Sequence, residues 1–295
     1  MNAFLTELGK TLAGRWAAAL ALPAAVFVAV AVVGVVLGPA HALDAGLLRS
    51  RVLVVSTGPA LLWAAAGFVA ATAVVGLAAT ALGGAVVATW GAGDSGLGRP
   101  FTALRRRRWQ RATAKADTAV RAVLADRQDR RARAAARRAV LRREALSPAE
   151  PESPTWAGDR LRWVSDRVRR TTGLDLTTTW PRLWLVLPDA VRAELTAVQD
   201  RCASAARTPV WGVAYVAIGV YWWPALLPGL WLLLLAPRRI RRSVGVYADL
   251  VEASIDLHGR TVATQLGFDL PGPITREVGE QVTEVLRKPI PSTTD

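Results

Sequence analysis

Four consecutive arginines, Arg105, Arg106, Arg107 and Arg108, stand between Phe101 and Trp109 in the stretch FTALRRRRWQR. Guanidinium groups at that density suit phosphate, because each is permanently charged and presents a planar fork of donors to phosphate oxygens. A second basic group, Arg238, Arg239, Arg241 and Arg242, follows an apolar run that ends at Ala236. Three settings fit Arg105 to Arg108. On a nucleic acid they would neutralise phosphates, but no RNP, helix-turn-helix or zinc-finger pattern accompanies them, so nucleic acid is disfavoured. Near an anionic leaflet each contributes about 1 kcal/mol of attraction. As a bland topological signal they would only hold their loop inside the cell. The topological signal carries the most weight of the three; any phosphates the arginines meet are expected to be anionic lipid head groups, which places both basic groups at a membrane surface.

Other chemistry is thinly represented. GAGDSG, Gly91 to Gly96, matches the G-x-G-x-x-G string, yet a dinucleotide site needs a strand before it and a helix opening on its last glycine, within a βαβ unit. A long apolar run precedes it here and Gly98 and Pro100 follow, which marks a linker. His41 and His258 have no further histidine or cysteine at ligand spacing, so no metal site is expected. Asp256 and His258 lack a nucleophile motif nearby and read as a helix-surface pair. The lone cysteine, Cys202, excludes an internal disulfide and a thiolate cluster. No cofactor and no enzymatic activity are expected.

The elements that carry these residues follow from how charge and apolar residues separate. The chain has 295 residues, 52% of them hydrophobic, and a net charge of +14. Between Arg99 and Arg170 there are 21 basic and 8 acidic residues, which is nearly all of that charge. Ala17 to Leu37 is free of charge and about long enough for a bilayer core of ~30 Å. Ala40-His41-Ala42 offers the competing reading of a signal peptide. Val52 to Trp90 is too long for one span, and Pro59 suits a helix start, which places a second span at about 59–82. Gly34 and Gly38, and Gly76, Thr80 and Gly84, have the small-residue spacing that lets membrane helices approach. None of the apolar runs contains Asp, Glu, Lys, Arg or His, which argues against an ion-coupled transporter.

The third apolar run, Val210 to Ala236, contains YWWPALLPGLW. Its prolines and glycine favour a tight hairpin with short arms, and one kinked span is the alternative. Trp16, Trp222 and Trp223 are the expected interface aromatics. Ala103 to Leu146 has helical composition and reads as one solvated helix or a helix pair, with Asp117 before Arg121, Asp126 before Arg130 and Asp129 before Arg133 at i, i+4. Ser147 to Pro154 reads as a linker. Leu161, Val164 and Val168 then share a helix face that Gly173 can end, and Val246, Leu250, Ala253, Leu257 and Val262 give a stripe on a later helix. The order PTWAGDRL, GLDL followed by WPRLWLVLPDAVRAEL, and YADLVEASIDLHGRTVATQLGF resembles integral membrane proteins common in actinobacteria. The resemblance covers about 154–268 and implies a membrane hairpin with both flanks on one side; it brings no activity, catalytic residue or cofactor.

The expectation is an all-α polytopic membrane protein: an N-terminal membrane region, 1–98, with spans at about 17–38 and 59–82; a basic cytoplasmic arm and linker, 99–153; cytoplasmic helices, 154–209; a hairpin or kinked span, 210–236; and C-terminal cytoplasmic helices, 237–295, forming an antiparallel stalk. It would lie in a bacterial cytoplasmic membrane with both termini inside and act as a scaffold or interaction protein. Its partners would be the bilayer, an intracellular protein and a second copy of the chain. A small channel or transporter formed by oligomerisation is the alternative.

Overall fold

The computed structural model describes residues 21–55, 59–91, 98–270 and 272–287, and every regular element among them is helical. Trp16, the start of the first expected span and most of the Gly91 to Gly96 string lie outside the described residues. In chain order the helices are α1 (Ala21–Leu37), α2 (Ala45–Val55), α3 (Pro59–Gly91), α4 (Arg99–Ala125), α5 (Arg130–Leu146), α6 (Trp156–Thr172), α7 (Leu176–Val186), α8 (Asp189–Gly219), a 3-10 turn at Trp223–Ala225, α9 (Leu226–Gln265) and α10 (Arg276–Arg287). They form two compact units: unit 1 comprises Met1–Val86 and Ala203–Arg239, and unit 2 comprises Val87–Cys202 and Ile240–Asp295.

In unit 1 the chain turns back between α8 and α9. Trp222 N–H donates to the Ile218 carbonyl and Ala225 N–H to that of Trp222. Glycines let the two helices touch: a Cβ on Gly219 would lie 2.4 Å from Leu226 Cδ2, and one on Gly229 2.8 Å from Val216 N. α1 joins them through Phe27, whose ring lies 5.7 Å from that of Trp211 and 5.2 Å from that of Tyr215. Gly34 lies under Trp222, where a Cβ would be 3.1 Å from Trp222 Cβ. Gly38, with φ +64°, ends α1, so the glycine pair is divided between packing and chain reversal. A Cβ on Gly84 would meet open space among the described residues. Among the described residues one helix, over Leu61–Gly91, is long and apolar enough to cross a membrane; its 31 residues span ~46 Å.

Unit 2 is a helical core with a helical hairpin attached. Val164 and Val168 of α6, Leu183 of α7, Leu195 of α8, Val251 and Ile255 of α9, and Val282 and Leu286 of α10 form one buried cluster. Thr155 caps α6 by accepting from Gly158 N–H, and Gly173, at φ +74°, ends it. Asp175 caps α7 through Thr177 N–H. α10 seats on this corner: Thr283 Oγ1 donates to the Gly173 carbonyl and accepts from Asp175 N–H, and Arg287 pairs with Asp175 at 2.9 Å. Arg287 holds the Asp175 carboxyl below its ordinary pKa against the opposing effect of burial, with help from Thr177 N–H. Arg160 and Arg167 reach across from α6 to Asp249 and Glu252 of α9.

Three sequence expectations change. The helical stretch from Ala103 to Leu146 breaks at 126–129, because Asp126 Oδ1 accepts from Gln128 N–H and Asp129 Oδ1 from Arg131 N–H. Those two aspartates cap the helices flanking the break instead of pairing at i, i+4. The buried stripe of α9 runs through Ala248, Val251, Ile255 and Val262, while Val246, Ala253 and Leu257 are exposed. Ser147 to Pro154 is a folded connector with Ser147, Pro151 and Ser153 buried.

The seat of α10 is tight enough to test. A Cβ on Gly279 would lie 1.7 Å from the Thr172 carbonyl oxygen. Gly279→Ala should therefore destabilise this docking by roughly 1–3 kcal/mol, as overpacking does. Hydrogen exchange should show α10 amides losing protection, with α1 and α3 unchanged.

Candidate functional site

The site is built from the first turns of α4. Gly98 precedes the helix, and Pro100 fits its first turn because the missing N–H would have had no partner there. At ~100° per residue, four adjacent arginines cannot all face one way. Arg105 turns inward. Its Nη1 lies 2.6 Å from Asp159 Oδ2 and donates to the Ser153 carbonyl at 2.6 Å. One turn on, Trp109 Nε1 donates to the Ser147 carbonyl at 3.3 Å. Of the four, Arg105 is thus a structural group; Arg106, Arg107 and Arg108 stay exposed.

Asp159 sits in the first turn of α6 with its side chain 5% exposed. Besides Arg105, its carboxylate accepts from Ser153 N–H at 2.7 Å, Glu152 N–H at 3.0 Å and the Ser147 hydroxyl at 3.4 Å. One carboxylate therefore folds the connector and fixes α4 against α6. Arg241 of α9 closes the other side: it donates to the Ala145 carbonyl at 3.0 Å and lies 5.5 Å over the Trp156 ring. Burial, and after it the charge of Arg105, lowers the Arg241 pKa from its ordinary value.

With Arg105 held inside, a different set of side chains lines the open face. Arg99, Thr102, Arg106, Arg107 and Gln110 of α4, with Arg162 and Glu152, border a cleft of about 490 Å³. Arg162 is paired with Glu152 at 2.6 Å, and Arg106 with Glu150 at 3.2 Å. Arg99 and Arg107 make no ion pair among the described residues, so the cleft keeps a cationic surplus suited to a phosphate or carboxylate. Among the described residues no three His, Cys, Asp or Glu side chains converge on a point that could hold a metal ion.

The other sequence candidates are dispersed. Arg238 and Arg239 lie in unit 1 and are exposed; Arg242 lies in unit 2 and is exposed. Trp222 is half-buried and donates Nε1–H to the Ala42 carbonyl at 3.1 Å, while Trp223 is exposed. Asp256 is exposed and His258 half-buried on α9. Arg99 and Arg162 were not singled out from sequence; the signal was the i, i+3, i+7 line from Arg99 through Thr102 to Arg106. Comparison with protein-family models, curated proteins and solved structures finds no match to this chain, so its function is argued from the geometry.

Removing one member of a buried ion pair leaves the other charge without a partner, at a cost of about 3–5 kcal/mol. Asp159→Asn should destabilise unit 2 by that order and open residues 147–153 to limited proteolysis. Asp249→Asn, which alters an exposed pair, should change stability by about 1 kcal/mol or less. Denaturant titration of the solubilised protein reads both.

Proposed function

We propose that this chain is a non-enzymatic scaffold or interaction protein of a bacterial cytoplasmic membrane, multi-pass, with both termini in the cytoplasm and the basic cleft of unit 2 engaging anionic lipid head groups. The observation that carries the reading is the apolar surface of unit 1. Leu22 and Val35 of α1, Trp63 and Leu77 of α3, Val213 of α8, and Trp231 and Leu234 of α9 are all exposed, Trp63 by 80%. Soluble monomers rarely carry apolar patches beyond a few hundred Å². Lipid satisfies such a surface without a protein partner.

The ends of the α8–α9 hairpin fit the same reading. Tyr221 and Trp223 are exposed at the turn, and Arg207, Arg238 and Arg239 lie near the other end of the apolar stretch. The helix between turn and arginines covers only ~20 Å. Snorkelling arginine stems at one end and aromatic side chains at the other extend that reach toward the ~30 Å of a bilayer core. The arginines then mark the cytoplasmic side.

Cysteine labelling tests the topology without replacing the native thiol. Cys202 is buried, and burial pushes its pKa up to about 11, so little thiolate exists at neutral pH. Val220, in the turn, is 86% exposed, and Thr264 is exposed on α9. In intact, wall-stripped cells an impermeant maleimide should label Val220→Cys and leave Thr264→Cys unlabelled until lysis, with wild type silent throughout. Labelling of Thr264→Cys in intact cells would sink the topology. For the cleft, hydrogen exchange over 99–110 should slow in nanodiscs containing phosphatidylglycerol relative to phosphatidylcholine. Arg99→Gln, Arg106→Gln and Arg107→Gln together should abolish that difference, since ~1 kcal/mol is lost per arginine near an anionic surface.

A further inference from the structure

The cleft on α4 already receives two carboxylates, and the chain supplies both. Glu150 Oε1 lies 3.2 Å from Arg106 Nε and accepts from Gln110 Nε2 at 3.3 Å. Arg106 and Gln110 are four residues apart, so they share a face of α4 and converge on that one oxygen. Glu152 Oε2 takes a second position, where it accepts from Arg162 Nη1 of α6 at 2.6 Å. Arg106, Gln110, Arg162 and Glu152 all line the cleft. These contacts show where each donor points, and they mark two places where negatively charged oxygen is received.

The backbone that presents the glutamates is held independently of their side chains. Glu152 N–H and Ser153 N–H donate to Asp159, and Pro151, between the two glutamates, is buried. Both glutamate side chains are about half exposed. Each can therefore leave its arginine by rotating about its own side-chain bonds while the connector stays folded. Such a pair is weak, because water screens it and two long side chains must be ordered to form it. An anionic membrane surface attracts each arginine with comparable strength. A phosphate also offers several oxygens to the planar guanidinium fork, so it is a fitting replacement for a carboxylate.

We propose that Glu150 and Glu152 are internal competitors for the cleft: they occupy its two anion positions, and anionic head groups bind by displacing them from Arg106, Gln110 and Arg162. The proposal rests on the reading that the cleft engages anionic lipid, and it gives that engagement a threshold. Where anionic lipid is sparse the glutamates keep the arginines; where it is dense the head groups take them.

The test uses the full chain in phosphatidylcholine nanodiscs with increasing phosphatidylglycerol. Hydrogen exchange over 99–110 gives the phosphatidylglycerol fraction at which protection is half complete. Glu150→Gln with Glu152→Gln should lower that fraction about tenfold relative to wild type, the combined weight of two exposed pairs. Glu144→Gln with Asp117→Asn makes the same change in net charge at exposed positions of α5 and α4 that do not line the cleft, and should shift it by less than about twofold. In phosphatidylcholine alone, residues 147–153 should exchange alike in all three proteins, since Asp159 holds them. An unchanged midpoint in the Glu150 and Glu152 variant, or an equal shift in the control, overturns the proposal. Lost protection at 147–153 in that variant makes the glutamates structural and overturns it too. If millimolar inorganic phosphate in phosphatidylcholine nanodiscs protects 99–110 as phosphatidylglycerol does, the displacing anion is a soluble phosphate and the choice of lipid is overturned. No response to phosphatidylglycerol from wild type or variant overturns the reading of the cleft itself.

Discussion

Unit 2 depends on a carboxylate that cannot reach water. Asp159 is nearly fully buried, and a charge in that position persists only if its lone pairs are filled. They are filled by Arg105, by two main-chain amides of the connector and by the Ser147 hydroxyl. These donors come from segments that hydrophobic burial alone would not bring together: α4 and α5 have a sparse apolar face, with Ala116 and Ala136 their buried apolar residues. The basic hairpin is thus attached to its core chiefly by polar contacts around one residue. Withdrawing Arg105 from the arginine run for this purpose leaves Arg106 and Arg107 aimed at the cleft.

The remaining ion pairs of unit 2 belong to another class. Arg162 with Glu152, Arg106 with Glu150 and Arg276 with Glu280 have much of their side chains in solvent. Such pairs are individually worth a few tenths of a kcal/mol to about 1 kcal/mol, and salt screens them. Because they are weak they can exchange partners. The strong pair fixes the backbone, and the weak ones leave guanidinium groups available.

How much of this was legible in the sequence depends on the kind of signal. Helix punctuation was legible: Pro59 begins α3 and Gly173 ends α6, each for a local backbone reason that needs no tertiary context. The stripe of α9 was misread because its buried face includes Ala248, Ser254 and Gly259, small residues placed where helices approach closely, while the large Leu257 faces outward. A helix pair was one of the two readings of this stretch, but the position of the break between α4 and α5 was hidden because an aspartate before an arginine describes an ion pair and a helix cap equally well. The partner of Arg105 was illegible in principle, since nothing local connects it with Asp159.

The reversal at Val220–Ala225 has a consequence for how the chain folds. The core of unit 2 joins residues of α6 and α7 to residues of α9 and α10 that come much later in the chain, and closing such distant contacts unaided is entropically slow. The α8–α9 turn is a local contact of a few residues that can form as soon as both helices exist. Once closed, it shortens the effective loop between the two halves of the core. The glycines along the hairpin, which set how closely its helices meet, then act on the order of assembly: a side chain added at Gly219 or Gly229 would delay the distant core as well as loosen the hairpin.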